Sequence, residues 1–152
     1  MRVSAKTDYA LRAVVELASA NGDAPVKGER LATSQAIPLR FLENILLQLR
    51  HAGLVESRRG ADGGYKLARP ADQIALADVI RAIDGPLAGV SGARPETLDF
   101  RGSSEPLRDV WVAVRAALRG VLEQVSVADV ASGELPPHVR QLLQDEDAWV
   151  SR

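Results

Sequence analysis

Between Ile37 and Pro70 the chain reads IPLRFLENILLQLRHAGLVESRRGADGGYKLARP, and its hydrophobic period changes partway through. In the first half, Leu42, Ile45, Leu46 and Leu49 form one apolar stripe at helical spacing. Pro38 suits the first helical position, where its missing N–H costs nothing. Gly53 suits the C′ position that stops the helix. Arg40, Glu43 and Asn44 fall side by side away from the apolar stripe, and Gln48 follows one turn after Asn44. The second half is two short strands, LVESRR and YKLAR, around the Gly-rich turn at residues 60–64, a β-hairpin. Arg58 and Arg59 lead into that turn, while Lys66 and Arg69 lie beyond it. A helix with a polar reading face followed at once by a basic hairpin is the layout of a winged helix that binds DNA.

The flanking sequence fits around this unit. Ser4 can cap a helix running to about Ala20, with Gly22 as its stop and Ala10, Leu11, Val14, Leu17 and Ala18 on its inner face. After a turn at Asp23-Ala24-Pro25, a short helix is expected from about Lys27 to Ser34, with Leu31 and Ala32 inward. Gln35-Ala36-Ile37 then turns into the Pro38 helix, completing a helix-turn-helix pair. Past Pro70, Leu76, Val79, Ile80 and Ile83 predict a further helix that Gly85-Pro86 ends. Residues 86–105 lack periodicity and are rich in Gly, Ser and Pro, so they read as a long loop of the functional or mobile kind.

From Pro106 a stronger pattern begins. Leu107, Trp111, Val114, Leu118, Val121 and Val125 repeat at 4-3-4-3-4 spacing, a heptad seam that Val110, Ala117 and Leu122 widen. One side of such a helix can serve its own domain and the other a second copy. The expected organisation is a winged helix-turn-helix head over 1–85, a loop over 86–105 as a regulatory segment, a dimerisation helix over 106–131, and a tail with a short helix over 132–152. The fold class is mainly α with a small β-wing.

Charge and composition narrow the functions. The net charge is −1, but residues 1–70 carry 11 Lys and Arg against 7 Asp and Glu, and residues 71–152 carry 8 against 13. A basic half touching phosphates and an acidic half held away from them fits that split, as does ordinary scatter. The chain contains no cysteine, which excludes thiolate nucleophiles, disulfides, thiol redox sensing and Cys-based metal sites. His51 and His138 offer no ligand spacing. No apolar run approaches the roughly 20 residues of a membrane span, and Lys6, Asp8 and Arg12 interrupt any signal-peptide core. A cytoplasmic, non-membrane protein is expected. No nucleophile–base pair, phosphate loop or metal set emerges, since the turn at 60–64 lacks the following Gly-Lys-Ser/Thr, and an enzyme is not expected.

DNA recognition, by contrast, is chemically coherent. Arg40 can donate twice to guanine, Asn44 can pair with adenine and Glu43 can accept from cytosine, with Gln48 on the same helix. Arg59 beside Gly60 can enter a narrow minor groove, and Arg58 and Lys66 can neutralise phosphates. The bland alternative is a solvated helix face and ordinary strand charges.

The residues that carry a family resemblance are Gly-Leu-Val, then Ser-x-Arg-Gly, then Gly-Gly-Tyr-x-Leu, directly after the Leu-rich helix, with SAKTDYALRAVVELA at the start. Over about residues 1–85 the chain resembles the Rrf-two family of bacterial winged-helix transcription regulators, with a weaker echo in the long helix and the VADV at Val127. The resemblance implies base contacts at Arg40, Glu43 and Asn44, a wing-tip arginine at Arg59 in the minor groove, and a dimer built on the long helix. Sensing members hold an iron–sulfur cluster with three cysteines in the loop corresponding to 86–105. A variant scheme uses a carboxylate and a histidine from the first helix with loop cysteine, and near those positions this chain has Asp8 and Arg12. Arg12 cannot stand in for the histidine, and the cysteines are absent, so a cluster-free member without a cofactor is expected. The resulting expectation is a homodimeric regulator, more often a repressor, binding a palindromic double-stranded operator. An unidentified small ligand or protein partner would switch it. The competing expectation is a winged-helix protein-interaction module that does not bind DNA.

Overall fold

Ser4 opens the first helix, α1 (Ala5–Ser19), by accepting the Thr7 N–H on its Oγ at 3.1 Å. A computed structural model describes residues 3–20 and 24–151; the stop expected at Gly22 and the Asp23 end of the following turn lie outside the described residues. Ala10, Ala13, Val14 and Leu17 of α1 are buried, and α1 packs against every other helix of the head. Its N-terminus is tied down from a distance. Asp84 accepts from Ser4 Oγ at 2.9 Å and from the fully buried Thr7 Oγ1 at 2.6 Å, so a carboxylate sits where the helix dipole favours one.

The helix-turn-helix follows as α2 (Gly28–Gln35) and α3 (Leu39–His51). Ala36 joins them in the left-handed region at φ 53°, where its N–H meets the Thr33 carbonyl and the Ile37 N–H meets that of Ala32. Ile37 is thereby buried and the chain reversed in one step. Two boundaries move by one residue. Lys27 is the cap of α2 rather than its first residue, and Pro38 caps α3 with an extended ψ of 126°, helical geometry starting at Leu39. A proline's fixed φ is compatible with either position, so ψ alone decides. The stripe Leu42, Ile45, Leu46 and Leu49 is fully buried. Each such side chain contributes about 1.5–3 kcal/mol of burial energy.

Gly53, at φ 71°, ends α3 and leads into the wing, β1 (Val55–Arg58) and β2 (Gly64–Leu67), paired antiparallel from Val55↔Leu67 to Arg58↔Gly64. The wing does not hang free. Val26 and Tyr65 exchange two backbone hydrogen bonds of 2.8 Å, adding one rung from the segment before α2. After a 3-10 turn at Ala71–Gln73, α4 (Leu76–Asp84) ends at Gly85 (φ 84°).

Residues 86–105 are more ordered than their composition implies. Val90 pairs with Ala93, 3-10 turns form at Pro95–Thr97 and Gly102–Ser104, Leu87 and Pro95 are buried, and the Pro95–Thr97 turn packs on the long helix.

The long helix, α5 (Leu107–Leu122), is shorter than the helix expected over 106–131. The correction has a clear cause. Ser126 and Asp129 form a reciprocal capping box, Ser126 Oγ accepting the Asp129 N–H at 3.1 Å and Asp129 accepting the Ser126 N–H at 2.7 Å. A new helix, α6 (Val127–Ser132), therefore starts there. Between the two helices the chain returns to the head. The Leu76 N–H donates to the Val125 carbonyl at 3.0 Å and the Val127 N–H to that of Ile74 at 2.8 Å. Val127 is fully buried in the head core and Val125 is 3% exposed, so the last residue of the heptad seam is used inside its own chain. The tail adds α7 (Pro137–Leu142) and a 3-10 turn at Glu146–Trp149, with residues 141–151 exposed throughout. Among the described residues no helix is long and apolar enough to cross a membrane.

Candidate nucleic-acid interface

Burying one stripe of α3 leaves the opposite ridge in solvent, and that ridge carries Arg40, Asn44, Leu47 and His51, all exposed. The two flanks of the ridge face different neighbours. On one flank Leu39, Glu43 and Arg50 look across a groove of about 440 Å³ toward the wing; its far wall is Ser57, Arg58, Arg59 and the glycines of the turn. On the other flank Phe41 meets Tyr9 of α1 edge-on at 5.8 Å between ring centres, and Gln48 meets Lys6.

Of the residues expected to read bases, Arg40 and Glu43 make no side-chain hydrogen bond or ion pair among the described residues, while Asn44 and Gln48 are linked. Gln48 Nε2 donates to Asn44 Oδ1 at 2.8 Å, and Lys6 Nζ donates to Gln48 Oε1 at 2.9 Å. This Lys6–Gln48–Asn44 chain engages the Asn44 carbonyl oxygen and leaves its N–H₂ group without a hydrogen bond among the described residues. Sequence reasoning missed Lys6, because only the packing of α1 against α3 brings residues 42 positions apart together.

The wing residues divide by partner. Arg58 and Arg59 are exposed with no ion pair among the described residues, and Gly60 takes φ 107° at the tip. Gly63 is buried under that turn, where a Cβ would stand 2.2 Å from the Arg58 carbonyl oxygen, so the tip has no room for another residue. Lys66 is spoken for: its Nζ lies 3.0 Å from Glu56, directly opposite in the hairpin register. Arg69 likewise lies 3.4 Å from Asp78. Arg50 donates to Ser57 Oγ at 3.1 Å, clipping the end of α3 to β1. Lys27, at the cap of α2, is a second cation of the groove that sequence reasoning did not single out. Four cations against Glu29 and Glu43 leave the groove net positive, suited to a polyanion's backbone.

Asp8 and Arg12, at the positions of the family's variant ligand scheme, are paired with each other at 2.6 Å, and Arg12 stacks over Tyr9 at 5.7 Å. The expected dimerisation residues are not equivalent either. Leu107 is 43% exposed, whereas Trp111, Val114, Leu118 and Val121 are half-buried and Val125 is buried. Val110 (51% exposed) and Ala117 add to the outward side.

Comparison with known proteins agrees with this geometry. The model of the family Rrf2, described as iron-dependent transcriptional regulator, matches residues 3–133. The Mycobacterium tuberculosis protein Rv1287, classed among HTH-type transcriptional regulators, is 52% identical over 99% of this chain and 94% of its own length. The HTH-type transcriptional regulator CymR of Bacillus subtilis is 35% identical over 87% of this chain and 91% of its own. The solved structure of B. subtilis CymR, the global cysteine regulator, superposes with a TM-score of 0.74 at 34% identity, covering 87% of this chain and 97% of that one. That of T. potens IscR does so at 0.68 and 32%, covering 100% and 93%. The iron in the family's description finds no thiolate here. The chain has no cysteine, and the described residues hold no group of three or more His, Asp or Glu able to bind a metal ion, so the side chains present do not fit an iron–sulfur cluster. With a winged helix-turn-helix head, an exposed polar ridge on α3 and a family match over most of its length, the chain belongs to the Rrf2 family of DNA-binding transcriptional regulators.

Proposed function

We propose that this chain is a homodimeric, sequence-specific regulator, of the repressing kind, that binds a palindromic operator and works without an iron–sulfur cluster. The observation that carries the reading is the groove between α3 and the wing. It sets Glu43, on the flank of the exposed ridge that carries Arg40 and Asn44, across from Arg58 and Arg59, two arginines without an ion pair among the described residues, at a tip of glycines. A ridge that enters a major groove while the adjacent tip reaches the minor groove needs that side-by-side arrangement. The dimer reading rests on α5. Trp111, Arg115, Leu118 and Leu122 lie half-buried toward their own chain, while Leu107, Val110 and Ala117 remain exposed. Outward apolar side chains on a heptad helix are what a second copy would cover. An operator for two such heads has two-fold symmetry. The absence of any cysteine leaves redox and cluster sensing without a ligand, so the switch is a small molecule or a protein partner.

Selection of bound fragments from random or genomic DNA at moderate salt tests the reading. An inverted repeat recovered by the wild type, with a changed half-site for Asn44→Ala, supports it. Retention of no fragment above background would instead favour a winged helix used for protein contacts alone. Peroxide and a chelator should leave binding unchanged, and the protein purified without oxygen should be colourless. Stoichiometric iron with sulfide would overturn the cluster-free part.

A further inference from the structure

Residues 71–152 are acidic overall, with 8 arginines against 13 Asp and Glu, yet four of those arginines line one cleft. Arg81 comes from α4, Arg94 from the loop, and Arg115 and Arg119 from α5, around a hollow of about 280 Å³ with Pro86, Leu87 and Glu96 completing its lining. Scattered charge in an acidic segment would leave each arginine with a carboxylate of its own. Here Arg115 pairs with Glu96, while Arg81 and Arg119 both turn to Glu123. Arg81 reaches Asp78 besides, at 3.8 Å, a carboxylate it shares with Arg69. The Arg94 side chain makes no hydrogen bond or ion pair among the described residues.

Four guanidinium groups face Glu96 and Glu123, with Asp78 divided between Arg81 and Arg69, so the cleft keeps a positive excess. Each guanidinium also has five N–H donors in a planar fork, more than one carboxylate oxygen can use. The hollow is at the lower end of the volumes that hold small ligands. Buried Leu87 gives it an apolar floor, and the wall at Arg94 belongs to the ordered part of the 86–105 segment. A surface scatter of arginines would have neither floor nor shared counter-ions. We propose that this cleft binds a small dianion, a phosphate monoester or a dicarboxylate, gripped by Arg94 and by the N–H groups of Arg81, Arg115 and Arg119 that Glu96 and Glu123 leave unused. Planar, bidentate recognition of such groups is what arginine does better than lysine.

The test is calorimetric titration of inorganic phosphate, and separately of malonate, into the full chain at fixed ionic strength with chloride as the control anion. Saturable, stoichiometric binding of at least one probe is expected. Arg94→Gln should weaken it about tenfold with the circular dichroism unchanged, since the Arg94 side chain makes no hydrogen bond or ion pair among the described residues and its backbone, which caps the Pro95–Thr97 turn, is kept. Glu96→Gln should tighten it by removing a resident competitor for Arg115, a gain that a misfolded protein cannot produce. Arg59→Gln should leave it as it was. The titration contains no DNA, so its outcome is separate from the DNA-binding reading. Neither probe saturating, or binding that survives Arg94→Gln and disappears in Arg59→Gln, would overturn the proposal.

Discussion

Gly64 runs so close beneath Val26 that a Cβ on it would stand 2.5 Å from the Val26 carbonyl oxygen, and its φ of 153° already disfavours a side chain. This close approach is what lets Tyr65 and Val26 form their two-bond rung and lock the wing to the head. Gly64→Ala should therefore cost about 2 kcal/mol or more in chemical denaturation and weaken DNA binding through a displaced wing. Gly53→Ala is the control. Gly53 also has positive φ (71°) but nothing within 4 Å, so it should lose only the backbone contribution of about 1 kcal/mol. Equal losses in the two variants would argue against the contact.

Reading and gripping should separate by residue. Asn44→Ala or Arg40→Ala should change the preferred bases in each half-site, with about 1–3 kcal/mol less discrimination at the affected position. Arg59→Ala should weaken binding across sequences and lower the salt dependence by about one counter-ion, while relaxing any preference for a narrow minor groove. Lys66→Ala should do much less, because Glu56 already holds that charge. Competition binding at several salt concentrations distinguishes the three patterns.

Leu107→Glu combined with Val110→Glu should give monomers with an intact fold, since both side chains are largely exposed in the single chain. Trp111→Ala should instead lower the melting temperature, as its half-buried ring faces its own chain. Light scattering and circular dichroism on both variants decide the matter. A double variant that remains dimeric would move the interface off α5.

Acid should loosen the junction of α5 with the head first. Asp129 is held below its usual 3.8 by the backbone N–H and the hydroxyl of Ser126. Glu123 is held below 4.5 chiefly by Arg81, then by Arg119. Glu96 is held below 4.5 chiefly by its backbone hydrogen bond, then by Arg115. For a carboxylate whose folded value is depressed, the stabilisation is complete above the unfolded value and disappears as pH falls through the folded one. Stability should thus be level above about pH 5 and decline below about pH 4, with Asp129→Asn flattening part of that decline and costing stability at neutral pH. Urea midpoints across that range provide the check.

The sequence announced the head because its elements are local. A four-residue stripe, a capping serine and a glycine tip each act within a few residues of themselves, so α1, α3 and the wing could be read from spacing alone. What it concealed was long-range. The link from Lys6 to Gln48 and the Asp84 clamp on Ser4 and Thr7 both join positions that only the packed helices bring together. The break after Leu122 was legible in principle. Ser126-Val127-Ala128-Asp129 is a helix-start signature, but the heptad repeat continuing to Val125 masks it. The last member of the repeat, Val125, is buried within its own chain, three residues past the end of α5. Residues 86–105 form a loop, as their composition implies, but the packing of the Pro95–Thr97 turn on α5 leaves no periodicity to read.

The rung between residues 74–76 and 125–127 makes α5 an arm pinned to its head beyond Leu122, besides being joined to it through the 86–106 segment. In the proposed dimer, two heads so mounted would behave as a calliper with a set span rather than as weights on a string. One base pair inserted between half-sites moves them about 3.4 Å apart and turns one about 35° around the duplex. Following that turn would load the junction that the Leu76–Val125 and Val127–Ile74 hydrogen bonds hold. Operators for this protein should therefore tolerate substitutions between the half-sites far better than a change in their number.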